Sequence, residues 1–265
     1  MQVQDTGEAL EAKASYVDED GVVDVSIYAP QPKPFVQQVD ADALHAQGID
    51  GSGVTIAVID TGLWTHPALL ANSRGEIRVL ARYNAIMDAM EPIHGPGGDT
   101  DGSGHGSHVA SLAVGSRISN GLYDGIAPNA NLVSVKAFDD TGMGSYLDVI
   151  RGIDWVVAHK DQYNIRVLNL SFSSPPQSYY WDDPLNQAVM RAWQAGIVVV
   201  AAAGNKGPDP MSVGVPGNVP YIITVGAMTD NYTPNDPTDD SISTFSSAGP
   251  TVEGFVKPDV VAPGA

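Results

Sequence analysis

Three side chains in this sequence are of the types that move protons or stabilise a developing negative charge. Asp60 ends an apolar run, His105 follows a glycine-rich turn, and Asn205 follows a second apolar run and a glycine. A histidine can accept the proton of a nucleophile, a carboxylate can orient that histidine, and a side-chain amide can stabilise an oxyanion. A carboxylate, an imidazole and an amide are therefore the side chains that acyl transfer uses, and the reaction also requires a nucleophile.

The run before Asp60 predicts the element that would position it. Four of the six residues 54–59 are valine or isoleucine, which is typical of a strand buried on both faces of a parallel sheet. In such sheets the functional crevice lies at the carboxyl ends of the strands. The alternative is that Asp60 only caps the turn that follows the strand.

His105 and Asn205 have alternative interpretations of their own. A helix of small residues is predicted at 105–114, and a lone histidine next to a glycine-rich turn, such as His105 at its start, could be structural. His108 lies three residues after His105, so the two could share a metal ion, although no carboxylate follows at the spacing of zinc-hydrolase motifs. Asn205 could be an ordinary turn residue.

Strand and helix patterns alternate along most of the chain, which indicates a parallel sheet with helices on both faces. Strands are predicted at 54–60, 131–138, 167–172, 197–203 and 221–227, and helices at 40–47, 105–114, 145–160 and 184–195. The predicted fold class is therefore α/β, with three layers and a mostly parallel sheet.

The start of the chain differs in composition from the rest. It is polar and acidic, alternates like a short strand at 22–28, and then has a proline-rich connector at 29–34. We interpret residues 1–38 as a leader or the tail of a prosegment, with a surface arm as the alternative, and residues 39–265 as one catalytic domain. An acidic loop at 235–240 could bind calcium, and its simpler interpretation is a solvated loop.

The composition narrows the classes of partner. The chain of 265 residues is 43% hydrophobic, and its 31 acidic and 13 basic residues give a net charge of −18. This charge would repel the phosphate backbone, so we expect no nucleic-acid partner. No run is long and apolar enough for a membrane span, and no signal peptide is recognisable. Because the chain has no cysteine, disulfides and thiolate chemistry are excluded.

Three motifs around these residues resemble, in identity and order, those of the subtilisin-like serine proteases, or subtilases. They are Asp60-Thr-Gly62, His105-Gly-Ser-His-Val-Ala110 and Ala202-Ala-Gly-Asn205, with Ser107 in place of the family's usual threonine. Further landmarks are Gly125-Ile-Ala-Pro128, Asn169-Leu-Ser-Phe172, Phe245-Ser-Ser-Ala-Gly-Pro250 and Lys257-Pro-Asp-Val-Val-Ala-Pro-Gly264. The resemblance implies that Asp60 orients His105, that His105 is the general base, and that Asn205 donates to the oxyanion.

The same resemblance implies where a polypeptide substrate would bind. Two extended segments would pair with the substrate backbone by strand addition, and a pocket with small, uncharged walls would take a large apolar side chain. The backbone-binding residues are Gly142 and Gly144 on one side and Ser171, Phe172 and Ser173 on the other, and the pocket residues are Ala202, Ala203, Gly204 and Gly214. Tyr146, Val149 and Phe172 could form a second apolar pocket or could be ordinary packing residues.

The family's nucleophile is not found in this sequence. Subtilases carry it in Gly-Thr-Ser-Met-Ala, after the landmark that here ends at Gly264, and no Gly-Thr-Ser occurs in the 265 residues. We therefore expect a catalytic domain that is incomplete at its C-terminus and inactive alone, and that a missing segment completes in cis or in trans. The expected function of the complete protein is that of a serine endopeptidase. The alternative is a pseudoprotease that binds peptides without cutting them.

No cofactor is expected for the chemistry. A structural calcium ion is compatible with the acidic chain. However, the family's common calcium site uses an aspartate shortly after a His-Pro pair, and here Ala68-Leu-Leu follows His66-Pro67. The metal ligands are therefore unknown. The resemblance implies an extracellular location for the full-length protein, with a cytoplasmic location as the alternative.

Overall fold

The fold is known from a computed structural model, which describes residues 2–4, 35–93, 97–119, 122–233 and 236–264. The strand predicted at 22–28 and the connector at 29–34 lie outside the described residues, as does the beginning of the acidic loop. Within the described ranges, no helix combines the length and the apolarity that crossing a bilayer requires.

Six helices and thirteen strands are formed by the described residues. The helices are α1 (Phe35–Gln38), α2 (Ala41–His45), α3 (Pro67–Leu70), α4 (His105–Val114), α5 (Tyr146–His159) and α6 (Pro184–Gln194). The strands are β1 (Gln2–Gln4), β2 (Thr55–Asp60), β3 (Val79–Asn84), β4 (Ala89–Met90), β5 (Ile118–Ser119), β6 (Leu122–Tyr123), β7 (Asn131–Lys136), β8 (Met143–Ser145), β9 (Ile165–Leu170), β10 (Val198–Ala202), β11 (Ile223–Thr229), β12 (Ser241–Ile242) and β13 (Val260–Pro263).

Nine of these strands form one sheet, in the order β12-β11-β10-β9-β2-β7-β3-β4, with β13 paired to β11. The strands from β11 to β3 run parallel to one another, and β13 is parallel to β11. The short strands β12 and β4 are antiparallel to their neighbours. Outside this sheet, β5 pairs with β6 and β1 pairs with β8. The predicted mostly parallel α/β sheet is therefore confirmed.

The central strand β2 shows how the sheet is covered on both faces. Ala57 and Ile59 belong to a buried cluster that includes apolar residues of α5 and α6. Val58 belongs to a second buried cluster, together with Ala110 and Val114 of α4. Because successive side chains of a strand point to opposite faces, the two clusters are two layers of core with the sheet between them. The three-layer prediction is therefore also confirmed.

Capping residues set the ends of the two longest helices. Ser145 precedes α5, and its Oγ accepts a hydrogen bond from the backbone N–H of Asp148 at 3.1 Å. Asp183 precedes α6 and accepts from the backbone N–H of Leu185 at 2.9 Å. Shortly after α6, Gly196 has a φ of +83°, a left-handed conformation that favours glycine at helix ends. The helices therefore begin and end close to the predicted residues.

The sequence analysis does not predict β3, because two arginines interrupt its apolar pattern. Both Arg78, just before the strand, and Arg82, within it, are fully buried. Their guanidinium groups donate to backbone carbonyls, those of Ala71, Val114 and Pro128 for Arg78 and those of Leu63 and Gly98 for Arg82. Burial lowers the pKa of Arg78 to about 10, so the group stays charged at neutral pH. Since Val114 ends α4, Arg78 stabilises the negative end of the helix that begins at His105.

Candidate active site

The carboxyl end of β2 meets the amino end of α4, and two predicted catalytic residues lie at this junction. Asp60 is the last residue of β2, and His105 is the first residue of α4. The distance from Nδ1 of His105 to Oδ1 of Asp60 is 2.7 Å, which is a hydrogen bond. Because an ionised carboxylate only accepts hydrogen bonds, Nδ1 carries the hydrogen, and Nε2 of a neutral ring is the nitrogen that can accept a proton.

Two glycines allow the helix to approach the strand this closely. Gly62 has a φ of +131°, and a Cβ at this position would lie 2.6 Å from the carbonyl oxygen of Thr100. A Cβ on Gly106 would lie 2.5 Å from the carbonyl oxygen of Gly62, which is closer than such atoms approach in proteins. Any larger residue at either position would therefore move α4 away from Asp60.

A second carboxylate, Asp101, organises the turn that leads into α4. It is buried, and it accepts hydrogen bonds from Oγ1 of Thr61 at 2.7 Å and from the backbone N–H of Gly104 at 2.8 Å. It also accepts from the backbone N–H and the hydroxyl of Ser107, at 2.8 and 2.6 Å. Burial raises the pKa of Asp101, but the hydrogen bonds from Ser107, Thr61 and Gly104 outweigh burial and leave the pKa below its ordinary value.

The hydroxyl of Thr61 connects the two carboxylates. It lies 2.7 Å from Oδ1 of Asp101 and 3.3 Å from Oδ1 of Asp60, and it accepts from the backbone N–H of Gly106 at 2.9 Å. A hydroxyl has one hydrogen, so the shorter distance indicates that Thr61 donates to Asp101. The sequence analysis assigned no role to Asp101, although an aspartate before a glycine-rich turn into a helix is a recognisable signal.

A lysine fixes the same turn from the neighbouring strand. Lys136 ends β7 and lies opposite Asp60 in the sheet register. Its Nζ donates to the carbonyl oxygens of Thr61 and Thr100, at 2.7 and 2.8 Å, and pairs with Asp140 at 2.9 Å. These contacts hold the segment after Asp60 and the segment before His105 against each other.

A cavity of about 390 Å³ lies between α4 and the sheet. His105 lines it from the start of α4, and Asn205 lines it from the loop after β10. The predicted substrate residues Ser171, Phe172, Ser173, Ala202 and Gly204 line the same cavity. The structure therefore brings the candidate base and the candidate amide donor to one space.

Comparison with known proteins identifies the family of this chain. Residues 51–265 match the Subtilase family. The chain belongs to this family. It is similar to serine protease AprX of Bacillus subtilis (strain 168), with 39% identity over 226 residues that cover 83% of this chain and 48% of AprX. It is also similar to subtilisin E of the same strain, with 35% identity over 252 residues that cover 94% of this chain and 56% of subtilisin E.

A solved structure has the same fold. The crystal structure of a cold adapted subtilisin-like serine proteinase matches with a TM-score of 0.58 and 31% identity, covering 82% of this chain and 64% of that one. The chain spans about half the length of AprX and of subtilisin E.

In this subtilase, the edge predicted to bind a substrate backbone carries a strand of the chain itself. Gly144 is the middle residue of β8, and it lies opposite Val3 of β1 in an antiparallel pair. Gly142 directly precedes β8 and has a φ of +76°. Neither glycine lines the cavity that contains His105. The edge therefore lies outside that cavity, and its pairing with β1 shows that it accepts an extended strand.

Two predicted pocket residues of the subtilase lie behind the cavity wall. Ala203 is buried, and its carbonyl oxygen accepts from the backbone N–H of Gly214 at 3.0 Å. A Cβ on Gly214 would lie 2.9 Å from the carbonyl oxygen of Ser174 and 3.1 Å from Cβ of Ser173. Position 214 therefore supports the segment that carries Ser173 and has no space for a larger residue without a shift.

The second apolar pocket expected in the subtilase is not open at Val149. This side chain is fully buried in the main core, so the packing interpretation applies to it. Tyr146 packs against the same core, and burial raises its pKa to about 12. The ring of Phe172 lies 5.0 Å from that of Phe138 and also lines the cavity. Of the three, Phe172 is thus the residue that borders the candidate site.

The side chains of the subtilase that could bind a metal ion give no support to the alternative that His105 and His108 share a metal ion. Within the described parts of the chain, no group of three or more histidine, aspartate or glutamate side chains is placed to share a metal ion. His108 lines the cavity with His105, but Nδ1 of His105 is bound to Asp60. Ala68, where the family's calcium ligand was expected, lies in the short helix α3.

Proposed function

We propose that this chain carries the acid and the base of a serine endopeptidase active site. The observation that carries the proposal is the 2.7 Å contact between His105 and Asp60, next to a cavity that Asn205 also lines. Asp60 would orient the imidazole, His105 would accept the nucleophile's proton at Nε2, and the amide of Asn205 would donate to the oxyanion. The likeness to AprX, a serine protease, supports the same reaction here.

The reaction has two acyl-transfer steps. A serine oxygen attacks the carbonyl carbon of the peptide bond while its proton passes to Nε2 of His105, and Asn205 stabilises the tetrahedral oxyanion. When the C–N bond breaks, His105 gives the proton to the leaving amine. Water then hydrolyses the acyl-enzyme with His105 again as base. The reaction therefore requires a serine hydroxyl within hydrogen-bonding reach of His105.

We propose that this serine stands at the start of a helix which fills the cavity between α4 and the sheet. The apolar part of the cavity lining supports this proposal. It consists of Val109, Leu112, Val200, Val225, Ala227 and Ala262. Leu112 of α4 and Val261 of β13 are 38% and 41% exposed, although each belongs to a regular element beside the core. A helix with small apolar residues would bury this lining and direct its first turn toward His105 and Asn205.

A fluorophosphonate probe, which reacts with activated serines, tests this proposal. The 265-residue chain should not be labelled. It should be labelled when a segment containing Gly-Thr-Ser-Met-Ala is fused to its C-terminus or is added as a separate polypeptide. Mass spectrometry should locate the label on the added serine, and His105→Ala should abolish labelling. A label on a serine among the 265 residues would contradict the proposal.

The alternative function is that of a pseudoprotease, and one observation favours it. The edge strand β8 binds an extended strand, β1, without any chemistry. A pseudoprotease would bind peptides on this edge and would neither react with the probe nor hydrolyse a peptide in the presence of the added segment. Labelling and hydrolysis by the completed protein would reject this alternative.

Removing residues 1–4 should strengthen the binding of extended peptides at β8. Because β1 occupies the edge, an incoming peptide must displace it before it can form its own backbone hydrogen bonds. Two or three such bonds correspond to about a tenfold lower Kd for the truncated chain, measured by fluorescence anisotropy of a labelled hexapeptide. A variant with threonine at positions 2, 3 and 4 keeps the backbone pairing and should bind as weakly as the parent. Equal affinities of the truncated and parent chains would show that β1 does not compete.

A further inference from the structure

A second cavity, of about 300 Å³, lies beside the amino end of α4. Its lining consists of Trp64, Thr65, His66 and Asp99. Trp64 and its two neighbours follow the Asp60-Thr61-Gly62 turn, and Asp99 lies shortly before the turn into His105. The cavity therefore borders the candidate active site, although none of its residues has a role in the reaction above.

Trp64 forms a rigid wall of this cavity. Its indole Nε1–H donates to the carbonyl oxygen of Asp101 at 2.7 Å, and its backbone N–H donates to Oγ of Ser107 at 2.9 Å. A Cβ on Gly104 would lie 3.3 Å from the ring, so the indole packs against the residue that directly precedes His105. Trp64 is nevertheless 49% exposed, which leaves aromatic surface available to a ligand.

Asp99 supplies a carboxylate with one oxygen still available. Its Oδ1 accepts from both the backbone N–H and the hydroxyl of Thr65, at 2.6 and 2.5 Å. The side-chain hydrogen bond from Thr65 is the main cause of a lowered pKa at Asp99, so the group is anionic at neutral pH. Among the described residues, Oδ2 receives no hydrogen bond, and no lysine or arginine forms an ion pair with Asp99.

Asp99 shares the nearby charge of Arg82 with two other carboxylates. Burial lowers the pKa of Arg82, and the nearby carboxylates of Glu91, Asp99 and Asp101 oppose that effect. Three carboxylates therefore face one guanidinium. His66 adds no fixed charge when neutral, and its Nδ1 accepts from the backbone N–H of Ala68 at 3.2 Å.

We propose that this cavity is a substrate subsite for the positively charged side chain of a lysine or arginine close to the cleaved bond. The cation would lie over the indole of Trp64 and pair with Oδ2 of Asp99. A cation held against an indole gains from the negative face of the ring, and pairing with a carboxylate adds a charge-assisted hydrogen bond. The inference rests on the proposed function, because the cavity is a substrate subsite only if His105 marks the place of cleavage.

The indole resonance of Trp64 allows a test that requires no catalysis. In a ¹H–¹⁵N spectrum of the 265-residue chain, the Trp64 indole peak is identified by its absence from the spectrum of Trp64→Phe. We expect this peak to shift saturably on titration with acetyl-Gly-Lys-Gly-amide. The affinity should be about fivefold higher than for the same peptide with norleucine, which has a similar length and no charge. Asp99→Asn should reduce this difference to about twofold, the part that the indole of Trp64 still provides.

The chain offers a matched control for the charge. Asp236 also accepts hydrogen bonds from the N–H and the hydroxyl of the threonine two residues later, Thr238, and its pKa is likewise lowered, mainly by the side-chain bond. Asp236→Asn removes the same charge from the acidic chain at a distant loop, so it should leave the titration unchanged. Equal affinities of the parent chain for the two peptides, or equal losses in the two variants, would overturn the inference.

A cleavage assay with the completed protein distinguishes a failure of this inference from a failure of the proposed function. If peptides with lysine at one position near the cut bond are preferred and Asp99→Asn weakens only that preference, both hold. If peptides are cleaved without any such preference, the subsite inference fails alone. If the probe and all peptides fail to react, the proposed function fails, and with it the assignment of the cavity to a protease substrate.

Discussion

Replacing His105 with alanine should lower the kcat of the completed enzyme about 10⁶-fold, the effect that loss of the histidine has in a serine protease triad. Without the imidazole at the amino end of α4, the proposed site lacks the group that accepts the proton of the serine and protonates the leaving amine. The residual rate would come from binding and from the amide of Asn205. Hydrolysis of a peptide anilide, with serine acylation followed separately by the fluorophosphonate probe, measures the effect.

Asp60→Asn should have a smaller effect, about 10⁴-fold on kcat. An amide in place of the carboxylate at 2.7 Å from Nδ1 can donate to this nitrogen, which favours the tautomer with the hydrogen on Nε2 and so removes the base. Because Asp60 acts through His105, the double variant should be no slower than His105→Ala alone. An additive loss in the double variant would show that Asp60 acts separately.

His45→Ala is a suitable control for the loss of a histidine. His45 ends α2, where its Nε2 is 2.8 Å from the carbonyl oxygen of Ile126, and it does not line the cavity between α4 and the sheet. The variant should keep the kcat of the completed parent enzyme. A comparable loss in both histidine variants would indicate a general effect on folding and would contradict the assignment of His105 as base.

The elements that carry Asp60 and His105 could be predicted because their patterns are local. The strand predicted at 54–60 corresponds to Thr55–Asp60, and the helix predicted at 105–114 corresponds to His105–Val114. The strand β3 could not be predicted, since its Arg82 is buried only where the carbonyl groups of Leu63 and Gly98 surround it. These residues are far from Arg82 in the sequence, and no periodicity encodes such a contact.

The candidate site also has features that could be predicted from the sequence and features that could not. The motifs predict that Asp60, His105 and Asn205 act together, and the structure brings Asp60 into contact with His105. The organising role of Asp101 depends on donors from both sides of it along the chain, and that arrangement exists only in the folded turn. Likewise, the pairing of β1 with β8 joins two segments whose short sequences specify neither partner nor register.

Asp101→Asn should both destabilise the fold and slow the completed enzyme, because the NH₂ group of the new amide must face a backbone N–H. Oδ1 of Asp101 faces a backbone N–H, that of Gly104, and Oδ2 faces another, that of Ser107. Whichever way the amide is turned, its NH₂ group meets one of these two N–H groups. The buried unpaired N–H and the lost charge-assisted bonds should cost about 3 kcal/mol in the free energy of unfolding, measured by urea denaturation.

The pH dependence of stability gives this prediction a second measurement. The pKa of Asp101 is lowered in the folded protein, so the folded state binds the proton less tightly than the unfolded state does. The stability that this group contributes is then fully present above the ordinary carboxyl pKa, about 3.9, and is lost as the pH falls toward the folded value. Asp101→Asn should therefore reduce the loss of stability below about pH 4.

The loss of activity should appear in kcat. Asp101 holds Gly104 and Ser107, on either side of His105, and its carboxylate forms no hydrogen bond with residues 143–145 of β8. A shift of the imidazole by about 1 Å should lower kcat about 10²-fold, whereas the KM of a short peptide should stay within about twofold. Asp161→Asn, which alters a side chain 91% exposed, should change neither stability nor kcat. An Asp101→Asn enzyme with the parent kcat would show that the network only stabilises the fold and does not position the base.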